Sequence, residues 1–104
     1  MSDIVFFLTT LHSEEVREAY ETWVKEVDQP LADNLPGVDR YRVVRLSGPV
    51  MDGVALPTYS YIEIIELSDL ELYKQSIATA PPDFFDQFRS YIADFDAVAG
   101  TVVQ

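Results

Sequence analysis

The chain has 104 residues, of which 48% are hydrophobic, and its formal net charge is −11. Its length suits one domain, residues 1–104, with a single core. The charge excludes a nucleic-acid backbone or an anionic membrane as the main partner, because both would be repelled at long range. With no cysteine and one histidine, a disulfide scaffold, a thiol nucleophile and a site of several histidines are also excluded.

The first predicted element is a strand from Ile4 to Thr10, a short apolar run rich in β-branched and aromatic side chains. The run is too short to span a bilayer, and no basic residues precede it. We therefore expect a strand of a cytoplasmic protein rather than a signal peptide or a membrane span.

A helix is predicted next, with Ser13 as its N-cap. Pro30 disfavours helical geometry at Gln29, so a break or a kink is expected there. The segment Leu35-Pro36-Gly37 then ends the helical region and leads into a second strand, Val38 to Leu46. The apolar stripe of the helix consists of Val16, Ala19, Tyr20, Trp23 and Val27.

The second half of the chain begins with residues 47–58, a long loop of the kind that often serves as a lid or a partner contact. The third strand is predicted from Tyr59 to Leu67. Ser68-Asp69-Leu70-Glu71 fits a capping box that starts a helix. The terminal strand is predicted at about Thr101 to Val103, with a start as early as Ala97 left open. Before it, Pro81-Pro82-Asp83 starts a further helix whose stripe is Phe84, Phe88, Tyr91, Ile92 and Phe95.

The resulting order, β-α-β-β-α-β, predicts an α+β, ferredoxin-like domain with a four-stranded antiparallel sheet. Right-handed crossovers place the helical segments on one face of that sheet. The other face has no cover within the chain, although Phe6 and Ile62 belong to it if Phe7 and Tyr61 face the helices. Since an apolar face of this size is not tolerated on a monomer, we expect a homodimer packed sheet against sheet.

His12, between the first strand and the first helix, is the only side chain whose ordinary pKa lies near neutrality. It is a candidate general base or single metal ligand, and the alternative is a residue that packs or hydrogen-bonds at the start of the helix. Nothing in the spacing of the other residues demands a metal, so no cofactor is predicted.

Glu63 is the second catalytic candidate, because a carboxyl group in a central strand is costly to bury and would have a raised pKa. Such groups act as general acids or bases in pockets. The alternative is a structural ion pair with Arg42 or Arg45. Asp28, at the expected helix break, is interpreted as a cap or a solvated charge.

Several aromatic side chains are candidates for lining a substrate cavity between the helices and the sheet. The alternative is that they form ordinary core. They are Trp23, Tyr59, Tyr61, Phe88 and Tyr91.

The succession of Trp23, Pro30-Leu31, Leu35-Pro36-Gly37-Val38 and Arg40-Tyr41 resembles the EthD-like branch of the dimeric α/β-barrel proteins. Over its whole length the chain more closely resembles the RedY-like family of prodiginine pigment biosynthesis. Many EthD-like chains carry a histidine just before the Pro-Leu pair. Here Asp28 and Gln29 precede it, so no role of that histidine is transferred.

The resemblance implies a homodimer with a pocket between sheet and helices, and an enzyme of pyrrole- or indole-derived natural products. The favoured hypothesis is acid–base catalysis by His12 and Glu63, such as dehydration, cyclisation or assisted condensation. Cofactor-independent oxygenation of an electron-rich aromatic is a second hypothesis. A third is non-catalytic: binding and shielding of a pigment intermediate, or assistance to partner biosynthetic enzymes.

Overall fold

The computed structural model describes residues 3–104. Its strands are β1 (Asp3–Leu11), β2 (Val38–Arg45), β3 (Tyr61–Leu67) and β4 (Ile92–Thr101). Its helices are α1 (Arg17–Trp23), α2 (Gln29–Asp33), α3 (Leu70–Ala78) and α4 (Pro82–Tyr91). A 3₁₀ turn, Glu14–Val16, precedes α1, and a π turn, Val24–Asp28, joins α1 to α2. Within this range no helix has the length and hydropathy needed to cross a bilayer.

The four strands form one sheet in the order β2-β3-β1-β4, and every neighbouring pair is antiparallel. β3 lies between β1 and β2, which is the split arrangement of a ferredoxin-like fold. The predicted fold class is confirmed. A mid-strand residue of β3 is therefore flanked by a strand on each side.

Alternation along the strands separates a helix-covered face from an open face. In β3 the odd-numbered residues are buried and the even-numbered ones only partly so. The helices pack on the odd-numbered side and form two core clusters with it. One cluster is Val5, Ala32, Tyr41, Ile65, Leu67 and Tyr73, and the other is Leu11, Tyr20, Trp23, Val24, Tyr61 and Ile92.

The open face of the sheet is apolar along its middle. Phe6 of β1 lies opposite Ile64 of β3 on one side and Val98 of β4 on the other. Val98 is 54% exposed, and no helix within residues 3–104 covers this side. The sequence-based expectation of an uncovered apolar face is confirmed.

The terminal strand is much longer than the pattern of the sequence suggested. β4 begins at Ile92, not near Thr101, and pairs with β1 from Leu11↔Ile92 to Asp3↔Thr101. The prediction that Ile92 and Phe95 belong to a helical stripe is wrong, because both residues lie in β4. Pairing with β1 provides backbone hydrogen bonds along the whole segment, which outweighs a local helical periodicity.

The two predicted helix starts agree with the structure only in part. Ser13 is at the N-cap position of the 3₁₀ turn, but its side chain makes no capping hydrogen bond within the described chain. At α3 the N-cap is Asp69 rather than Ser68, and its carboxylate accepts a hydrogen bond from the Leu72 amide at 2.9 Å. A single aspartate at this position satisfies an unpaired amide of the first turn without a capping box.

The turn before β2 depends on Gly37. Its φ is +91°, and a Cβ atom built on it would lie 2.7 Å from the carbonyl oxygen of Asp69. Its own carbonyl accepts a hydrogen bond from the Ser68 amide at 2.9 Å. Glycine is therefore required both for the backbone conformation and for the close approach of α3.

We expect Gly37→Ala to lower the free energy of unfolding by more than Gly53→Ala. Gly53 also has a positive φ, +82°, but a Cβ there would meet nothing within 4 Å. In the control, the free energy of unfolding should fall only by the cost of a left-handed backbone at alanine, roughly 1–2 kcal/mol. In Gly37→Ala the clash with Asp69 adds to this cost. Urea denaturation of both variants provides the measurement, and equal losses would show that the close approach is unimportant.

Candidate functional site

A mostly apolar cavity of about 70 Å³ lies between the sheet and helices α2, α3 and α4. Five phenylalanines supply much of its wall: Phe7, Phe84, Phe85, Phe88 and Phe95. Its polar lining residues are Asp28, Tyr41, Glu63, Tyr73 and Arg89. A largely apolar pocket with a few convergent polar groups is typical of a small-molecule site.

Asp28 reaches this cavity because the helical region does not break before Pro30. The Gln29 amide donates to the carbonyl of Val24, five residues earlier, and the backbone stays helical through Asp28 and Gln29. A proline lacks an amide hydrogen and clashes with the carbonyl four residues earlier in a regular α-helix, and the π turn accommodates it. Asp28, at the end of that turn, is only 5% exposed. The break or kink expected near Gln29 takes the form of this π turn, whereas the expected solvated position of Asp28 is wrong.

Glu63 lies in the middle of β3, opposite Phe7 of β1 and Val43 of β2. It is on the helix-covered face and is 7% exposed. The predicted ion pairs with Arg42 and Arg45 do not form. Those arginines pair instead with other carboxylates, Arg42 with Glu66 at 3.4 Å and Arg45 with Glu21. No cation of residues 3–104 pairs with Glu63.

The hydroxyl of Tyr41 joins the two buried acids. It lies 2.5 Å from Asp28 Oδ2 and also contacts Glu63 Oε1. The Gln29 side chain donates to the Tyr41 carbonyl at 3.0 Å, which fixes β2 against the helical region at this point. Asp28, Tyr41 and Glu63 thus form one hydrogen-bonded group, called here the buried acid pair and its tyrosine.

Burial is the largest influence on all three groups. It raises the pKa of Asp28 to about 6, although the hydrogen bond from Tyr41 acts in the opposite direction. Burial and then the nearby charge of Asp28 raise the pKa of Glu63 to about 8. The pKa of Tyr41 is well above its ordinary value, first through burial and then through the charges of the two acids. Tyr41 therefore stays protonated.

These pKa shifts determine where the protons lie. A tyrosine hydroxyl has one proton to donate, so it cannot donate to both acids at once. The second contact needs a proton on one of the carboxyl groups, and near neutral pH Glu63 is the one that keeps it. The protonated Glu63 then donates to Tyr41, and Tyr41 donates to the Asp28 carboxylate. Glu63 Oε2 has no hydrogen-bond partner among the described residues.

The structure does not bring His12 next to Glu63. The His12 side chain is exposed, and its Nε2 lies 2.9 Å from the carbonyl oxygen of Arg89. It is not among the described residues that line the cavity. In the structure it links the start of the helical region to the end of α4.

Of the five aromatic candidates, Phe88 lines the cavity of Glu63 and the others lie elsewhere. Trp23 and Tyr91 border a separate open groove, and the Trp23 ring packs behind Phe84 at 5.2 Å. Tyr61 is core, and its hydroxyl donates to Glu21 at 2.5 Å. The hydroxyl of Tyr59 donates a hydrogen bond to the Asp96 carboxylate, away from the cavity of Glu63.

Sequence reasoning missed Asp28 and Tyr41 as members of the site. One signal was present, since Asp28 occupies the position where the EthD-like chains that the sequence resembles often carry histidine. Its burial depends on the π turn, which the proline alone did not predict. Tyr41 alternates with Arg40 and Arg42 in β2, so its inward position was predictable but its two acidic partners were not.

Within residues 3–104, no group of three or more acidic or histidine side chains is arranged to hold a metal ion. Asp28 and Glu63 share Tyr41 as their hydrogen-bond partner. The chemistry available to this group is movement of a proton between the two acids through the tyrosine.

Comparison with known proteins bears on the family and the fold. A family model described as "REDY-like protein HapK" matches residues 3–103. The structure of HapK from Hahella chejuensis superposes with a TM-score of 0.79 at 22% identity, covering 97% of this chain and 92% of that one. An ethyl tert-butyl ether d (EthD) family protein from Bacillus halodurans superposes with a TM-score of 0.73 at 16% identity. The superposition covers 99% of this chain and 100% of that one.

A third similar structure is SnoaB from Streptomyces nogalater, described as a cofactor-independent oxygenase. Its TM-score is 0.69 at 17% identity, and 99% of this chain and 94% of that chain are covered. At these identities the superpositions establish the fold. A search of curated proteins gives no match.

We expect the stability of the protein to fall, relative to that of Glu63→Gln, as the pH rises from 5 to 9. The folded state keeps the Glu63 proton up to about pH 8, whereas the unfolded chain releases it near the ordinary value. The stabilisation is complete below the unfolded pKa and is lost as the pH passes through the folded pKa. Each unit of raised pKa corresponds to about 1.4 kcal/mol.

Urea denaturation at pH 5, 7 and 9 measures this difference. Glu71→Gln is the matched control, because it removes the same charge from an exposed position beside Lys74. Parallel pH profiles for wild type, Glu63→Gln and Glu71→Gln would show that Glu63 does not carry a raised pKa.

Proposed function

Because this chain belongs to the REDY-like HapK family, we propose that it performs acid–base catalysis in the biosynthesis of a prodiginine-type pigment. Its substrate would be an apolar, pyrrole- or indole-derived intermediate, and the reaction a dehydration, a cyclisation or an assisted condensation. The observation that carries this proposal is the buried acid pair and its tyrosine at the wall of an apolar cavity.

The proposed proton transfer runs through three groups. A proton leaving the substrate passes to Glu63 Oε2, the proton on Oε1 passes to the Tyr41 oxygen, and the Tyr41 proton passes to the Asp28 carboxylate. The products are a substrate anion and a protonated Asp28. Run in reverse, the same group delivers a proton to a leaving hydroxyl, so one arrangement serves both halves of a dehydration.

The unpartnered oxygen of Glu63 supports this assignment. A buried carboxyl oxygen without a hydrogen-bond partner is unfavourable, and a ligand N–H or O–H group would supply the missing donor. The phenylalanines make the lining of the cavity mostly apolar, and burial favours the neutral form of the Glu63 carboxyl group. A flat aromatic ring suits such walls.

We expect Glu63→Gln to reduce product formation by about a hundredfold or more. The amide keeps the shape of the side chain and can still hydrogen-bond to Tyr41, but it cannot exchange the proton. Deletion of the gene in its host, followed by complementation and mass spectrometry of the pigment and of the accumulating intermediate, measures the effect. Circular dichroism of the purified variant checks that it is folded.

Glu71→Gln is again the control and should restore full product formation. Tyr41→Phe interrupts the same transfer from a different strand and should lose activity similarly. Full activity in a folded Glu63→Gln variant would contradict the proposal and support the non-catalytic role of binding or shielding. Loss of activity in His12→Ala, with Glu63→Gln active, would assign the acid–base role to His12.

We also propose that the protein works as a homodimer through the open face of the sheet. Phe6, Ile64 and Val98 form a contiguous apolar surface in the middle of that face. Burial of such a surface against a second copy removes it from water on both subunits. Continuity of this surface across three strands supports a symmetric sheet-to-sheet contact.

Light scattering at micromolar concentration should give a mass of about twice the 11.8 kDa chain. Val98→Asp should shift the equilibrium toward the monomer, because it would bury a carboxylate in the interface. Leu72→Asp is the control, since Leu72 is 38% exposed on the helix-covered side. A wild-type monomer, or equal dissociation of both variants, would contradict this interface.

Cofactor-independent oxygenation is the second candidate function. The similarity in fold to SnoaB favours it, and a base that removes a proton from an electron-rich aromatic would prepare that substrate for dioxygen. Oxygen consumption with the intermediate that accumulates in the deletion strain separates the two reactions. Consumption of oxygen in stoichiometric amount with the substrate would show that the reaction is an oxygenation and not acid–base chemistry alone.

A further inference from the structure

Arg89 differs from the other basic residues in its position. The chain has seven Lys and Arg residues, all within residues 3–104, and of these Arg89 lines the cavity of Glu63. It lies in the last turn of α4, the helix that also supplies Phe84, Phe85 and Phe88 to the cavity wall. Its side chain is 66% exposed, so the guanidinium stands at the mouth and not in the interior.

The guanidinium of Arg89 is weakly engaged within the chain. Its nearest carboxylate is Asp86 at 3.8 Å, an exposed pair from which little stabilisation is expected. Arg17 provides a contrast, since two of its nitrogens donate to Glu14 at 2.7 and 2.8 Å. The Arg89 guanidinium lies over the Phe85 ring, 5.9 Å from its centroid. The ring holds it in place while its hydrogen-bond donors remain available.

The cavity therefore has two chemically different ends. The acids Asp28 and Glu63 lie against the sheet, and a cation stands at the mouth. A positively charged ligand would meet Arg89 on entry, whereas an anionic group would find there a local attraction in a chain whose net charge is −11. A guanidinium presents paired donors that match the two oxygens of a carboxylate.

We infer that Arg89 binds a carboxylate on the substrate, whose aromatic body fills the phenylalanine-lined cavity. This inference rests on the proposed function and names its substrate class: a planar heteroaromatic acid, held at its acidic end by Arg89 with its ring toward Glu63. Arg89 is then a specificity-determining residue, and the proton transfer remains with Glu63, Tyr41 and Asp28.

The position of Arg89 also has a purely structural explanation, and the experiment must distinguish it from carboxylate binding. A cation in the last turn of a helix interacts favourably with the helix dipole and with the unpaired carbonyls there. That role predicts an effect on stability but none on the choice between ligands. The discriminating readout is therefore a preference between two ligands of equal shape, one charged and one neutral.

The test is calorimetric titration of the full-length protein with indole-2-carboxylate and with indole-2-carboxamide. We expect the wild type to bind the carboxylate about tenfold more tightly than the amide, as one charge-assisted pair would provide. Arg89→Met should remove this preference and leave amide binding unchanged, because Met keeps an apolar stem beside Phe85. Arg89→Lys should keep part of the preference.

Lys74→Met is the matched control. Lys74 is an exposed cation on α3 that lies 3.4 Å from Glu71, so its removal lowers the net charge equally and should leave the preference intact. Equal binding of the two probes to wild type, or an unchanged preference in Arg89→Met, would overturn the inference. Failure of the carboxylate to bind at millimolar concentration would overturn it as well.

The outcome is independent of the test of catalysis. If Glu63→Gln stays active while Arg89→Met loses the preference, the carboxylate site stands and the acid–base function falls. If Glu63→Gln is inactive and the two probes bind equally to wild type, the acid–base function stands and the carboxylate site falls.

Discussion

The structure depends on a single phenolic proton shared between two buried acids. Tyr41 cannot donate to Asp28 and Glu63 simultaneously, so the folded chain keeps a further proton on the pair at neutral pH. That requirement links three distant segments: the π turn of the helical region, the second strand and the central strand. Because this proton is retained, one interior carboxyl group is neutral in a chain that is rich in surface carboxylates.

The fold was largely predictable because it follows from patterns that act locally. A short apolar run rich in β-branched and aromatic side chains located β1, and the Leu35-Pro36-Gly37 turn marked the end of the helical region. The order of the strands and helices is then compatible with few topologies. The long β4 was not predictable from periodicity, because Ile92 and Phe95 fit a helical stripe equally well. What decides their conformation is pairing with β1, whose partner residues lie 81 and 86 positions earlier in the sequence.

The candidate site was predictable only in part. Glu63 could be found, since a carboxyl group in the middle of an apolar strand is unusual. Its partners depend on register and on a helix distortion, neither of which has a local pattern. Asp28 lies two residues before a proline and was interpreted as a residue at a helix end, yet it lies in the interior at the end of the π turn. The aromatic candidates are divided among the cavity, the core, the open groove and the loop before β3, although their residue types are alike.

The tight contact at Gly37 has a consequence for the cavity. The position of its missing side chain lies 3.2 Å from the amide of Tyr73, and Tyr73 and Ile77 of the same helix form part of the cavity wall. The distance between that wall and the sheet is therefore set by a backbone contact outside the cavity. Gly37 does not line the cavity, yet it acts as a spacer that limits how far α3 stands from the turn, and so bears on the width available to a flat ring.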